Sequence, residues 1–511
     1  MSFQFVWLWT DVALWLLAAA LAAYGLRVAR SPQLRATWGA VLRDPAALSS
    51  SLVLVLFLGV AGLDSVHFRR AVPSAAGQAA GSVFYDSRVE SLLDLALARQ
   101  LAMRESSYSA PLATVEFSKQ AIVVGGQTVR DYPRLVHGGA HLKDPARGWG
   151  TEWAADVAAR AGTGAVAGAA LALLASVLLA WCVRGRGGTA GAWRAIALDR
   201  TPLPLRALLL TGAAVAIAGG AVGALMDHYH VFGTDLTGND VLVRLLKSVR
   251  TAFVIGTLST LAMLPLAVAL GILGGYFRGW VDEAVQYLYT LLSSVPSVLL
   301  IAACVLMVQV GLDKHPEWFE TGAERSDLKL FMLCAILGLT GWSTLCRLVR
   351  AETLKLRELE FVQAATAFGV SHARIMGRHI LPNVVHLVLI STVLSFSDLI
   401  LYEAVLTYVG VGVDPSMNSF GGMINLARNE MSRDPVVWWS FAAAFGFMVT
   451  LVLAANLFAD GVRDAFDPRS RSMRPRLHGH RAAGAAGGAA GGAAGGEKRA
   501  DDGGQGAKGR A

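Results

Sequence analysis

The chain has 511 residues, of which 54% are hydrophobic and only 16% are charged. Soluble domains carry roughly 25% charged residues, so this composition excludes an ordinary soluble protein and indicates a polytopic membrane protein. The formal net charge is +8, but residues 461–511 hold ten Lys and Arg against five Asp and Glu, so most of the excess lies in one terminal segment. Basic residues retained on the cytoplasmic side of a membrane explain this excess without a nucleic-acid partner.

Nine apolar segments are long enough to span a bilayer, which takes about 20 helical residues. In chain order they are 5–26, 46–65, 162–183, 206–226, 251–275, 286–309, 329–348, 383–407 and 437–460. The first is not predicted to be a cleavable signal peptide, because its arginines follow the apolar run instead of preceding it. The sequence therefore predicts an all-α polytopic membrane protein with about nine transmembrane helices.

The basic loops predict the orientation of these helices. Segments 27–45 and 184–206 carry four and five arginines, respectively, against one acid each, which is typical of short cytoplasmic loops. With nine crossings, the N-terminus is then outside and the C-terminus in the cytoplasm. One loop disagrees, because 227–250 must lie outside although it contains three basic residues, Arg244, Lys247 and Arg250.

Residues 67–161 form a long extracytoplasmic insertion in this topology. Its alternating stretches "TVEF" and "AIVVGGQTV" suggest a β-hairpin, so we expect a small α+β module. At the other end of the chain, 470–511 is rich in Gly and Ala and has almost nothing to bury. This segment is predicted to be a disordered cytoplasmic tail.

A short helix is predicted in the cytoplasmic loop 349–382, between two membrane segments. Phe361, Ala364, Ala365 and Phe368 recur at i, i+3, i+4 and i+7, so they form one apolar stripe. The stripe could pack on the chain's own membrane helices or lie on lipid. Alanines are poor lipid anchors, however, and small residues suit close contact with a groove of another protein.

The same loop contains a recognisable pattern. Gly369 is positioned to end the helix, and Leu381 and Pro382 begin the next membrane segment. Together with Gln363-Ala364-Ala365, they resemble the "EAA…G…LP" loop of the membrane subunits of binding-protein-dependent ABC importers. The resemblance implies that this is a coupling helix, seated in a groove of a separate ATPase subunit. The residues that it assigns to this role are Glu360, Phe361, Gln363, Ala364, Ala365, Phe368, Gly369, Leu381 and Pro382.

Further motifs, in matching order and spacing, are similar to those of the permeases of dipeptide, oligopeptide and nickel importers. They are "LRDPAALSSSLVLVLFLGVAGL", "HVFGTDLTGNDVLVRLL", "GYFRGWVDEAVQY", "LSSVPSVLL", "EAVLTYVGVGVDP" and "NLFADGVRDAFDPR". The resemblance covers about 42–66, the first family-like membrane helix, and 228–469, the permease core.

The resemblance implies an inner-membrane permease subunit with a type I ABC importer core and with no catalytic, cofactor or metal site of its own. Its expected partners are a second, homologous permease, ATPase subunits that use ATP and magnesium, an extracytoplasmic solute-binding protein and the surrounding lipid. The expected cargo is a short peptide that passes between the two permeases.

The chain departs from the family pattern at two residues and in three segments. Gln363 stands where the loop motif has Glu, and Asn239 stands where the group usually has Arg. The added segments are an N-terminal helix and loop, 1–41, the insertion 67–161, and an extra transmembrane hairpin, 162–227.

No G-x-x-x-x-G-K-[ST] loop occurs in the sequence, so an ATPase has to be a separate chain. Two other classes of function are compatible with a polytopic chain. The alternative is a secondary, ion-coupled transporter of a small solute, but it would favour two related halves and leaves the apolar stripe unexplained. An intramembrane enzyme would need a nucleophile and a base, and the serines have no His or Asp partner at a recognisable spacing.

Two acids in the segment 383–407 are candidates for the translocation pathway. Glu403 matches the family pattern. Asp398 does not, and it lies near the middle of the span, where an acid facing lipid costs about 2.5–3.5 kcal/mol. Asp398 is therefore either buried and hydrogen-bonded to Ser395, Ser397 or a neighbouring helix, or it lines the pathway and meets the amino terminus of a passing peptide.

The remaining polar candidates are weaker. His137 and His141 in "HGGAH" have a zinc-like separation, but the glycines between them indicate a turn, and a pair is too few for a structural site. Asp282 and Glu283 are expected to be solvated or interfacial at a cytoplasmic helix end. Asp11 is open to either a functional or a structural role. The four cysteines lie in or beside apolar runs and are expected to be packing residues.

Overall fold

The computed structural model of the chain describes residues 3–72, 84–86, 88–124, 127–143, 151–183, 188–319 and 321–466. The predicted disordered tail, 470–511, lies outside them. The α-helices of the described part are α1 (Trp9–Arg30), α2 (Pro32–Val41), α3 (Pro45–Asp64), α4 (Leu92–Ala96), α5 (Ala98–Ala102), α6 (Thr151–Val183), α7 (Gly188–Ala197), α8 (Leu205–Leu225), α9 (Val241–Phe277), α10 (Trp280–Ser294), α11 (Ser297–Asp313), α12 (Gly322–Gly341), α13 (Ser343–Arg357), α14 (Glu360–Ala367), α15 (His372–Ile375), α16 (Leu381–Val409), α17 (Phe420–Glu430) and α18 (Trp439–Phe466).

Seven described helices are long and apolar enough to cross a membrane. They are α1, α3, α6, α8, α9, the continuous helix His372–Val409 that contains α16, and α18. Two bent pairs, α10 with α11 and α12 with α13, raise the number to nine if each pair is one span; the bends are 87° and 40°. These elements coincide with the nine predicted segments and confirm the helical membrane fold.

The long helix α9 is the centre of the fold, where it packs against α3, α12, α13 and α16. Its approach to α13 depends on glycine. A Cβ atom at Gly271 would lie 2.9 Å from the carbonyl oxygen of Cys346, and one at Gly275 would lie 2.8 Å from that of Arg350. Small residues allow membrane helices to pack this closely. The contact joins the core of the fold to α13, which leads into the loop that carries α14.

The described part of the insertion forms two small antiparallel sheets, one of which also takes in the N-terminal strand β1. The strands are β1 (Phe3–Phe5), β2 (His67–Val72), β3 (Phe84–Tyr85), β4 (Glu90–Ser91), β5 (Gln120–Val124) and β6 (Gln127–Asp131). Strand β2 pairs with β1, β3 and β4, and β5 pairs with β6 in the register Gln120↔Asp131. The predicted hairpin therefore lies within "AIVVGGQTV". Among the described residues, the stretch "TVEF" contributes a single bridge, between Val115 and Arg134, and Glu116 is buried.

Helices α6 and α8 form the additional hairpin, and their contact is built from glycines. A Cβ atom at Gly164 would lie 2.2 Å from the carbonyl oxygen of Gly220, and one at Gly168 would lie 2.1 Å from that of Ala216. The spacing of Gly164 and Gly168 is that of small-residue helix pairs in membranes. The two helices consequently pack backbone against backbone.

The three basic residues of 227–250 that disagree with the predicted orientation are all paired with carboxylates. The pairs, with N–O distances of 2.5–2.6 Å, are Lys247–Asp94, Arg244–Asp235 and Arg250–Asp11. The partners of two pairs come from other segments, α4 in the insertion and α1. Because these charges are compensated locally, the segment lacks the free positive charge that holds a loop in the cytoplasm.

Asp11 has a structural role. Its carboxylate is 3% exposed and accepts hydrogen bonds from Arg250 Nε and Nη2, at 3.1 and 2.6 Å. His67 Nδ1 lies 2.6 Å from the other carboxylate oxygen, and Arg250 Nη2 also lies 3.5 Å from Asp327 of α12. This buried cluster joins α1 to α9 and α12, so the N-terminal addition is docked on the core.

Candidate functional site

Helix α14 is attached to the rest of the chain along one side only. Val362 is 1% exposed and packs in an apolar cluster with Val349, Ile375 and Ile380. These partners come from α13, α15 and the turn before α16. We call this buried side of the helix, which contains Val362, its base. The base is held by the segments that precede and follow α14.

The predicted apolar stripe lies on the uncovered side of α14. Phe361 and Phe368 are 45% and 87% exposed, Ala364 is exposed, and Ala365 is half-buried. The interpretation that the stripe packs on the chain's own membrane helices is wrong for the two phenylalanines and for Ala364. An apolar surface of this kind, next to a fixed base, is typical of a contact with another protein.

The two polar residues of the loop motif are exposed as well. Glu360 lies in the first turn of α14. Gln363 Nε2 donates a hydrogen bond to the backbone carbonyl of Glu358, at 3.1 Å. The amide that replaces the family's carboxylate therefore contacts the end of the preceding helix and leaves α14 intact.

The helix ends at the predicted residue. Gly369 has a φ of +72°, which favours glycine, and its N–H donates to the carbonyl of Thr366 at 3.0 Å. After α15 comes a π-helical turn, Met376–Ile380. Helix α16 then begins at Leu381, with Pro382 in its first turn, as the sequence predicts.

Contacts that sequence reasoning missed hold this loop on α9 and α10. Arg350 Nη2 lies 2.7 Å from Asp282, so Asp282 is a partner of α13 and not the solvated or interfacial residue that was predicted. Arg357 Nη1 donates to the carbonyl of Tyr276 at 2.8 Å, and the Tyr276 hydroxyl lies 2.8 Å from His372 Nδ1. Such long-range pairs have no spacing signal in the sequence. They join α13 and α15 to the neighbouring ends of α9 and α10.

A polar face runs along α16. Ser391, Ser395 and Asp398 recur at i, i+4 and i+7. The two serines line a cavity of about 470 Å³, whose other walls include Met263 of α9 and Arg347 of α13. Asp398 is exposed and has no hydrogen-bond or ion-pair partner among the described residues. The interpretation of Asp398 as a buried, hydrogen-bonded residue is therefore wrong.

Glu403 is placed differently. It is 2% exposed, and its Oε1 accepts a hydrogen bond from Thr407 Oγ1 at 2.8 Å. A Cβ atom at Gly421 of α17 would lie 2.9 Å from the same oxygen. Because five residues correspond to about 140° around a helix, Glu403 and Asp398 do not share a face. In this structure Glu403 connects α16 to α17, an arrangement that gives no support to its predicted pathway role.

The remaining candidates have separate partners. The backbone N–H of His137 donates to Glu105 at 2.8 Å, and His141 Nε2 lies 2.8 Å from Asp156. Among the described residues, no group of three or more His, Cys, Asp or Glu could hold a metal ion. Two of the four cysteines are buried and one is half-buried, whereas Cys182 is exposed.

Comparison with known proteins agrees with this geometry. Residues 267–472 match the family described as binding-protein-dependent transport system inner membrane component. The chain is 33% identical over 245 residues to the oligopeptide transport system permease protein OppC of Mycobacterium bovis, an alignment that covers 48% of this chain and 78% of that protein. The OppC proteins of Haemophilus influenzae and Escherichia coli K12 are 31% and 30% identical over 246 residues, which is 48% of this chain and 72% and 74% of theirs. The chain belongs to this family.

It is thus a multi-pass inner-membrane permease component of a binding-protein-dependent transport system, and the resemblance seen in the loop motif is confirmed. The family match begins within α9 and includes α14 and α16. The N-terminal helix α1, the insertion and the α6–α8 hairpin of this permease lie before the matched segment.

Proposed function

We propose that this permease forms half of the translocation pathway of an ATP-driven importer of short peptides. Helix α14 docks in a groove of a separate ATPase subunit, which binds the ATP and magnesium. The observation that carries the proposal is the uncovered apolar stripe on a helix whose base is fixed to the core.

The stripe has the properties of a docking surface. Phe361 and Phe368 leave apolar area in water, and covering this area is favourable. Ala364 and Ala365 lie between them and allow a partner to approach the helix closely. The pair Arg350–Asp282 then passes a displacement of the loop to α10.

A peptide cargo is supported by the similarity to oligopeptide transport permeases and by the polar face of α16. The Asp398 carboxylate is suited to the charged amino terminus of a peptide, and Ser391 and Ser395 offer hydroxyls to its backbone. An acid that faces lipid costs about 2.5–3.5 kcal/mol, so this face needs a cover. We infer that a second, homologous permease supplies it and completes the pathway.

The orientation belongs to the same proposal. We place the N-terminus and the insertion outside, where a solute-binding protein delivers the peptide, and the C-terminus and α14 in the cytoplasm. The local pairing of all three cations in 227–250 supports this orientation, because it removes the one disagreement among the short loops.

The test is uptake of a labelled tripeptide into proteoliposomes that contain the assembled complex. We expect uptake to require ATP and to continue after the proton gradient is collapsed. Uptake that follows the gradient and proceeds without ATP would contradict the proposal and favour a secondary transporter.

A further inference from the structure

A second cavity lies where the insertion meets the core of the permease. It has a volume of about 380 Å³ and is enclosed by α5 and the residues after it, by the loop before α9, by the first turns of α9 and by the segment 415–418. This volume falls within the range of about 300–1,000 Å³ that is usual for small-ligand sites. One wall belongs to the insertion, so the cavity depends on a segment that lies outside the family match.

Three cations line this cavity. Arg244 and Lys247 are paired with the carboxylates of Asp235 and Asp94. Arg104 is exposed and donates through Nε to the carbonyl of Thr237 at 2.9 Å; its other N–H groups have no partner among the described residues. Arg104 is therefore the cation whose charge is available to a ligand.

Among the described residues, a single acid lines the cavity, and it does not cancel this charge. Asp240 Oδ2 lies 2.8 Å from His230 Nδ1, and its Oδ1 accepts from the N–H of Leu242 at 2.7 Å. Both oxygens of Asp240 are thus engaged inside the permease. The cavity consequently favours a negatively charged group, and a carboxylate matches the planar fork of donors on Arg104.

The rest of the lining gives the cavity an apolar side. Met103 and Val243 are buried, Leu426 is exposed, and all three line the cavity. Gln100 also lines it, but its Nε2 donates to Asp227 at 3.1 Å and its Oε1 is inaccessible, so its amide is not offered to a ligand.

We propose that this cavity binds the C-terminal end of a short peptide on the outer side of the permease, with the terminal carboxylate on Arg104 and the last side chain against Met103, Val243 and Leu426. The assignment rests on the proposed function, because it takes the cargo to be a peptide. A simple anion satisfies the arginine but leaves the apolar side of the cavity uncovered, and a peptide end satisfies both.

The first experiment measures occupancy of the cavity without transport. Asn239 lines the cavity and is exposed, so Asn239→Cys, in a variant of the assembled complex without the native cysteines, is a reporter for maleimide labelling. We expect millimolar trialanine to slow the labelling several-fold, and trialanine amide or acetate to have little effect. The protection should disappear with Arg104→Gln and persist with Arg99→Gln. Arg99 is a matched control on α5, since it pairs with Asp227 and does not line the cavity.

Protection that is absent, or that is equal for the acid, the amide and acetate, would overturn the peptide-end assignment. A second experiment measures uptake of trialanine. Arg104→Gln should raise KM about five- to tenfold, the size expected for one charge-assisted contact at a partly exposed site, and leave kcat near wild type. Equal effects of Arg104→Gln and Arg99→Gln would also overturn the proposal. Because ATP-dependent uptake is measured separately, loss of this site leaves the proposed function standing.

Discussion

Arg250 is 4% exposed and lies between the carboxylates of Asp11 and Asp327; together with the hydrogen bond from the Thr10 N–H to Asp327, it docks α1 on the core. Removing one partner of a buried pair leaves an uncompensated charge and costs about 3–5 kcal/mol. We expect Arg250→Met to lower the thermal unfolding midpoint of the purified permease clearly and to make α1 sensitive to protease.

A matched control for this prediction is Arg99→Met, because Arg99 is an exposed partner of Asp227. Exposed pairs contribute about 0–1 kcal/mol, so this variant should resemble the wild type. Equal, small effects of the two substitutions would show that the Arg250 cluster does not hold α1.

Asp398 of α16 is exposed and has no hydrogen-bond or ion-pair partner among the described residues. Asp398→Asn keeps the shape and removes the charge, so it should reduce uptake of a peptide with a free amino terminus more than uptake of its N-acetylated form. Asp460→Asn, at an exposed acid of α18, should affect neither. Equal losses for both peptides, or no loss for either, would eliminate the pathway role of Asp398.

At the scale of elements, the insertion is clamped to the loop before α9 by a buried histidine. His230 is 1% exposed, with Nδ1 2.8 Å from Asp240 and Nε2 3.5 Å from Glu105. Burial lowers the pKa of His230, but the hydrogen bond to Asp240 and the nearby carboxylate of Glu105 outweigh it and raise the pKa from 6.5 to about 9. Burial raises the pKa of Glu105, but His230 and three backbone N–H groups outweigh it and lower the pKa to about 2.

These shifts predict the pH range in which the clamp is strong. A raised histidine pKa contributes stability below pH 6.5, and the contribution is lost as the pH rises through about 9. The lowered pKa of Glu105 contributes stability above pH 4.5, and this contribution is lost as the pH falls through about 2. We expect the thermal midpoint of the permease to fall between about pH 7 and 9.5, and His230→Gln to make this dependence flatter. An unchanged slope in the variant would exclude His230 as its source.

The elements differ in how far the sequence predicts them. The membrane spans follow from apolar length, and α14 with the ends of its loop follows from the i, i+3, i+4, i+7 spacing and from Gly369 and Pro382. The sequence predicts a single segment over 286–309, whereas in the structure the chain bends by 87° between α10 and α11. Pro296 immediately precedes α11 and has no backbone N–H to donate. The sequence therefore does contain a signal for this bend, although a hydropathy profile does not show it. The sequence contains no signal for the burial of Glu403 or the exposure of Asp398, because both depend on which helices lie beside α16.

At the scale of the whole molecule, the contacts that unite the additions with the core cross long stretches of chain. Arg250 and Asp11 are 239 residues apart, and Tyr108 in the insertion donates to Glu430 of α17 across 322 residues. A periodic pattern identifies each helix but not its partner. For this reason the sequence predicts the spans α1, α6 and α8 but not the contacts by which α1 and the insertion attach to the other helices.

The orientation of the whole molecule makes a further prediction. Lys119, beside the β5–β6 hairpin, and Thr366, on α14, are both exposed. In intact cells, and in a variant without the native cysteines, Lys119→Cys should react with an impermeant maleimide and Thr366→Cys should react only after the cells are opened. The reverse pattern would mean that the insertion is cytoplasmic, and α14 could then not meet an ATPase.

The central claim is that α14 couples this permease to an ATPase subunit, and the most direct measurement is peptide-stimulated ATP hydrolysis by the complex that carries Ala364→Arg. Ala364 is exposed, so the permease itself tolerates the change. An unpaired charge buried in the partner's groove costs a few kcal/mol. Because about 1.4 kcal/mol corresponds to a tenfold change in affinity, this cost is enough to prevent docking. We predict loss of stimulation with normal membrane insertion, and wild-type stimulation for the control Ala197→Arg on the exposed end of α7. Normal stimulation in the Ala364→Arg complex would contradict the claim.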